Sequence, residues 1–276
     1  MTKKDEIIEY YILSLIDIMA QKNELNKLND LVLKNDKKEI NNILNKTYGK
    51  MKSFRKHMQG AITWLNDIKQ DNQKSQFNSN SILIDSFSDL AISYVSLRSD
   101  INKLQFEGIY FLLFGNGLVF LQMLSEGTPL KGGVDLGIGI RHNGNEIYGS
   151  ALSNAYHLES AVARSFRIVV GKQLYNYIID ASNEDILSNE SLDYNIYWAK
   201  ECLNLIKIDI DGEYIVDFLS EKFQQLEKFQ IHYNKAKQFL QLEKARFMES
   251  SNCKLVEKYK VTLDYFQSAN ISGKIK

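Results

Sequence analysis

The stretch from Pro129 to Val170 constrains this chain more than any other part of it. It runs P-L-K-G-G-V-D-L-G-I-G-I, then N-E-I-Y-G-S-A-L-S-N-A-Y-H-L-E, then R-I-V-V. Strand character from Gly132 to Ile140 and again from Glu146 to Tyr148, with R-H-N-G-N between, is the pattern of two strands joined by a hairpin connection. Leu152, Ala155, Leu158 and Val162 recur at three- and four-residue steps, so Gly149 to Ala163 reads as a helix with one apolar face. Ile168 to Val170 reads as a further strand.

Upstream, Y-Y-I-L-S-L-I-D-I is a strand-like run, from about Tyr10 to Ile18, that carries Asp17. S-I-L-I-D-S-F-S-D-L-A-I-S-Y-V reads as two short strands joined at F-S-D, with Asp85 in the first strand and Asp89 at the turn. Between these runs, residues 21–70 show helical spacing and divide into two helices, and the polar segment 71–81 reads as a loop. A long helix is expected from about Arg98 to Ser125, followed by a turn at E-G-T-P that holds the only proline. The resulting order, βααββαββαβ, predicts an α+β fold with helices packed on a mixed sheet. An aspartate after a nearly continuous apolar run is expensive to bury unpaired, so Asp17 and Asp89 gain meaning as a pair.

With 276 residues and 44% hydrophobic content the chain can bury a large core. Residues 1–180 are expected to form the core. Residues 181–276 are expected to add a hairpin turning at Asp211-Gly212, in a type I′ geometry, and a helical extension. Lys+Arg and Asp+Glu both number 34, so no charge bias points to nucleic acid or an anionic membrane. The strongest apolar run, Ile109 to Leu124, is interrupted by Gly115, Asn116, Gly117 and Gln122, which favours a buried helix over a membrane span. Cys202 and Cys253 have no zinc-binding spacing and read as buried or half-buried thiols of a reducing cytosol, and the N-terminus carries no signal-peptide pattern. A cytoplasmic protein is expected.

Together, the Pro129–Val170 segment and the two upstream aspartates resemble the catalytic domain of class III nucleotide cyclases. The quotable motifs cover Tyr10 to about Leu219 in pieces. The resemblance implies a class III cyclase-like sheet and a reaction that cyclises a nucleoside triphosphate with Mg2+ or Mn2+, the metal being held by Asp17 and Asp89. It also implies a homodimer, because in the family the metal aspartates come from one subunit and the ribose and transition-state residues from the other. I-D-I-M-A-Q places Ala20 where a glycine is expected. G-S-A-L-S-N-A-Y-H-L-E corresponds to the family pattern G-D-x-V-N-x-A-x-R-x-E, which puts Ser153 in the place of the ribose-orienting asparagine and His157 in that of the transition-state arginine. Glu146 and Asp85 fall where base-contacting residues sit, Asp85 in place of a purine-reading lysine.

That exchange leans toward a pyrimidine substrate, and the texture resembles the Pycsar cyclases of antiphage defence, which make cyclic UMP or cyclic CMP. The alternative implied by Ala20, Ser153 and His157 is a catalytically degenerate relative that binds a nucleotide or a protein partner. Other motifs are thin. The four histidines have no H-x-x-x-H or H-E-x-x-H spacing, the glycines make no Walker loop, and no serine sits in G-x-S-x-G. Arg141, His142 and Lys131 are the remaining candidates for a phosphate path.

Overall fold

Every position from Tyr11 to Ile16 is buried, which makes the first strand, β1 (Ile8–Ile18), a central one. The computed structural model describes residues 8–19, 22–71, 82–97, 105–142, 146–183 and 190–269. β1 lies between β3 (Leu90–Ser96) and β4 (Leu130–His142), antiparallel to both, and β2 (Ile82–Phe87) flanks β3. Beyond β4 come β6 (Ile168–Val170), parallel to it, then β8 (Tyr214–Val216) and β7 (Ile206–Ile208), while β5 (Glu146–Gly149) pairs with β4 as its hairpin partner.

Two helices, α1 (Lys22–Leu33) and α2 (Lys37–Asp71), connect β1 to β2, and α3 (Gln105–Ser125) connects β3 to β4. The first four strands therefore form a split βαβ arrangement in the spatial order β2-β3-β1-β4. This is the α+β sheet with packed helices that the sequence predicts. The expected loop over 71–81 lies outside the described residues apart from Asp71, as do residues 98–104 of the expected third helix.

Alternation along the strands splits the interior in two. Ile12, Ile16 and Ile18 face α2 and α3 in the large core, whereas Tyr11, Leu13 and Leu15 face the other way, against Ala151 and Ala155 of α4 (Ser150–His157). The segment Phe106–Ser125 is long and apolar enough to cross a membrane by composition, but most of it is buried inside the protein as the core helix. Two of its interruptions have structural reasons. Asn116 accepts a hydrogen bond from Ser93 Oγ across the core (3.3 Å), and a Cβ at Gly117 would stand 2.5 Å from the ring of Phe223.

The C-terminal third continues the same sheet and core. α5 (Lys172–Ser182) and α6 (Glu190–Leu203) lead into β7 and β8. The β7–β8 turn departs from the expected type I′ form, because only Gly212 has positive φ (83°). Asp209 N–H donates to Glu213 C=O (2.8 Å), closing a three-residue loop with glycine in the left-handed position. The extra residue lets both Asp209 and Asp211 reach Arg167.

The helical extension expected within residues 181–276 includes α7 (Glu221–Gln224) and α8 (Phe229–Glu249), and α8 buries Phe229, Tyr233, Ala236 and Leu240. A last helix, α9 (Cys253–Ser268), packs on α8 and falls within the expected helical extension, which carried no bounds for it. Its signal, Tyr259, Thr262, Leu263 and Phe266 at three- and four-residue steps, is short but present. Cys202 is buried as expected, but Cys253 is exposed, because it opens α9 at a turn.

Candidate functional site

The end of β1 and the β2–β3 turn are stapled together. Ile18 N–H donates to the carbonyl of Asp89 (3.2 Å), so two aspartates far apart in sequence meet at one end of the sheet. Across the strands Asp17 lies opposite Leu90 of β3 and Lys131 of β4. The turn itself is unusual. Ser88, beside Asp89, holds φ at 54°, a conformation that L residues other than Asn and Asp seldom adopt.

The third contributor is Glu159. After α4 the chain widens into a π-helical turn (Leu158–Val162), with Ala163 N–H reaching back to Leu158 C=O (2.7 Å). Such turns recur at functional sites because they re-aim side chains that a regular helix would place elsewhere. Glu159 is only 4% exposed and pairs with Lys131, whose Nζ stands 2.5 Å from its Oε1 and also donates to its backbone carbonyl (3.3 Å).

The glycines of β4 make this approach possible. A Cβ at Gly133 would sit 2.4 Å from Ala155 O, and one at Gly137 2.4 Å from Ala151 N, so the backbone of α4 lies directly on the strand. Gly149 opens the helix at φ 142°, another position that favours glycine.

These neighbours set the electrostatics. Burial, then the charges of Asp89 and Glu159, push the Asp17 carboxyl up to about 7, with Lys131 opposing. A crowded pair of carboxylates is relieved by a cation. Among the described residues no group of three or more His, Cys, Asp and Glu side chains is arranged to hold a metal. Asp17 and Asp89 are the carboxylates that could hold a hard ion such as Mg2+ or Mn2+, since such ions take one or two protein carboxylates and complete their shell with water and substrate phosphates.

Asp85 lies further along the same sheet face. Its Oδ2 accepts a hydrogen bond from the Tyr94 hydroxyl (3.1 Å), and burial together with Asp85 pushes that hydroxyl up to about 12. Tyr94 meets Tyr11 edge to face, and the Arg141 guanidinium lies 6.0 Å from its ring centre. Glu146 is placed by its backbone on β5 opposite His142, and the side chains of both lie outside the described atoms. Ser153 and His157 are exposed on the solvent side of α4, whereas the carboxylates lie at the sheet. Ala20 is outside the described residues.

Sequence reasoning singles out Asp17 and Asp89 but misses Glu159, although it closes the motif that carries Ser153 and His157. It also misses two structural carboxylate systems. Asp135 accepts from Leu136 and Leu174 N–H (2.8 and 2.9 Å), tying β4 to the first turn of α5. Arg167, 4% exposed, donates to Asp209 and Asp211 and to Val162 C=O, and so anchors the end of the π-helical turn to the β7–β8 hairpin. Comparison of the chain with protein-family models, curated proteins and solved structures returned no match.

Proposed function

We propose that this chain is a metal-dependent nucleotide cyclase with a class III-like fold, acting in the cytoplasm on a pyrimidine nucleoside triphosphate. The observation that carries the reading is the meeting of Asp17 and Asp89 at the end of β1 and the β2–β3 turn, with the Asp17 carboxyl raised by its neighbours. In the reaction the ribose 3′ oxygen loses its proton and bonds to the α-phosphorus, the bond from that phosphorus to the bridging oxygen breaks, and pyrophosphate leaves. Asp17 and Asp89 would hold Mg2+ or Mn2+, which supplies charge neutralisation and lowers the pKa of the attacking hydroxyl.

The remaining roles fall to the chain's own side chains. Lys131, fixed by Glu159, presents a cation beside the carboxylate pair, where a triphosphate would run. Asp85, an acceptor, suits the exocyclic amine of cytosine or the uracil N–H, and Glu146 is the second base-side candidate. Ser153 and His157, exposed on α4, would complete the site of a second subunit in a homodimer. The product would be cyclic UMP or cyclic CMP, a second messenger suited to antiphage signalling.

One observation favours a second reading, binding of a nucleotide or protein partner without turnover. Serine and histidine stand where the motif has asparagine and arginine, and histidine lacks the bidentate fork of arginine. Incubation of pure protein with each of the four triphosphates and Mn2+, with cyclic products read by mass spectrometry, decides between them. Product from UTP or CTP that is lost in Asp17→Asn and Asp89→Asn is expected. Faster turnover of ATP would overturn the role of Asp85, and binding without product would establish the second reading. In a homodimer, mixing inactive Asp17→Asn and His157→Ala chains restores partial activity by forming one intact site, whereas no recovery despite subunit exchange argues against a shared site.

A further inference from the structure

A separate cavity of about 470 Å³ opens between α2, α3 and the α7–α8 segment. Its floor is apolar, made by Ala61, Leu118, Leu121, Leu226 and Phe229, and its volume lies within the range of roughly 300–1,000 Å³ typical of small-molecule sites. Two histidines that the sequence leaves unrelated, His57 and His232, line it together with Lys228. We propose that this cavity binds a small amphipathic carboxylate, its apolar body on the leucine and phenylalanine floor and its head at His232 and Lys228.

The hydrogen bonds around the rim define what His232 offers. Ser125 Oγ donates to Gln122 C=O (2.7 Å), so its single proton is committed and it accepts from His232 Nδ1 (2.8 Å). Neutral His232 therefore carries its proton on Nδ1, and its Nε2 becomes a donor only when the ring takes up a second proton. His57 is engaged differently. Its Nε2 lies 2.8 Å from Glu126 Oε1, and Ser53 Oγ donates to Glu126 Oε2 (2.7 Å).

The charges bearing on His232 are His57 from α2, Lys228 and Lys235 from the start of α8, and Glu126 after α3, with Glu227 also lining the cavity. Burial, His57, Lys235 and Lys228 hold the His232 imidazole below its ordinary range, with Glu126 opposing. An anion seated at the rim reverses that balance, so His232 takes up a proton on binding and the carboxylate accepts from Nε2–H. A cationic head would add to the repulsion instead. Binding is thus coupled to protonation and strengthens as pH falls.

The test is calorimetric titration of the whole chain with decanoate, and with decyltrimethylammonium as a head of opposite charge. Decanoate is expected to bind with one site, about tenfold more tightly near pH 6 than near pH 8, and the ammonium to bind at least about tenfold more weakly. Gly60 lines the cavity, and a Cβ built on it meets nothing within 4 Å, so Gly60→Leu folds and fills the space. It should weaken decanoate by about tenfold or more, while His232→Gln should flatten the pH dependence. Absence of decanoate binding at millimolar concentration, equal binding of the two heads, or binding untouched by Gly60→Leu would each overturn the proposal. None of these measurements depends on turnover of a nucleotide.

Discussion

On one face of the sheet Ile12, Ile16 and Ile18 of β1 disappear beneath α2 and α3 into a core that also takes in α5, α6, α8 and α9. On the other, Tyr11, Leu13 and Leu15 pack with Ala151 and Ala155 of the short α4, and Leu83, Leu90 and Ile92 stay half-buried beside Asp85 and Asp17. The same strands build both faces, and strand alternation sends each residue to one or the other. The difference shows how one sheet separates a covered apolar core from a half-open face that carries charge. The covered face gains the free energy of burying large side chains, roughly 1.5–3 kcal/mol for each one. The open face keeps partly desolvated carboxylates crowded together, which costs stability and is what a cation can relieve.

The largest expected effect breaks this comparison if it fails. Phe120 is fully buried on α3 and packs on Phe218 at 4.6 Å between ring centres. Phe120→Ala should cost about 3–5 kcal/mol in chemical denaturation. Leu83→Ala, on the half-open face, should cost about 1 kcal/mol or less, because solvent already reaches it. Similar losses at both positions would mean that the second face is as closed as the first.

A smaller effect tests how α4 is seated. Gly133→Ala puts a methyl group 2.4 Å from Ala155 O and 2.8 Å from Glu159 N, both backbone atoms with little room to yield. The expected cost is about 1–3 kcal/mol, with a shift in NMR signals confined to α4 and the π-helical turn. Signals that change instead around α3 would show that the strand, not the helix, gives way.

Legibility divides along the same line. The β1 run, the F-S-D turn and the β4–α4–β6 segment could be read because each carries a full period of its own pattern within one contiguous stretch. The approach of Asp17 to Asp89 followed from those placements. The Lys131–Glu159 pair did not, because nothing local distinguishes a lysine beside two glycines from a solvated one, and a π-helical turn leaves no period of its own. The pairing of Arg167 with Asp209 and Asp211 was hidden for a related reason. D-I-D-G-E satisfies a turn pattern by itself, and only the fold shows that its carboxylates close on a buried guanidinium.

The subtlest expectation sharpens the comparison through pH. An aspartate in the unfolded chain titrates near about 3.9, and Asp17 in the folded protein near about 7, so the folded state holds that proton more tightly. Ionising it in place works against folding. Stability should therefore fall as pH rises from about 4 to about 7 and stay level above that, the reverse of a salt-bridged carboxylate. Asp17→Asn removes this slope and should be more stable than the parent near pH 8 by about 1–2 kcal/mol, a value discounted for the solvent that reaches the group. Thermal unfolding at several pH values measures both statements. Mn2+ adds the decisive contrast, because an ion held by Asp17 and Asp89 binds only the folded parent: it should raise the parent's melting temperature at pH 8 and leave that of Asp17→Asn unchanged. Equal response of the two proteins to Mn2+ would place the ion elsewhere, and an unchanged pH slope in Asp17→Asn would show that the crowding at the end of β1 does not act on this carboxyl.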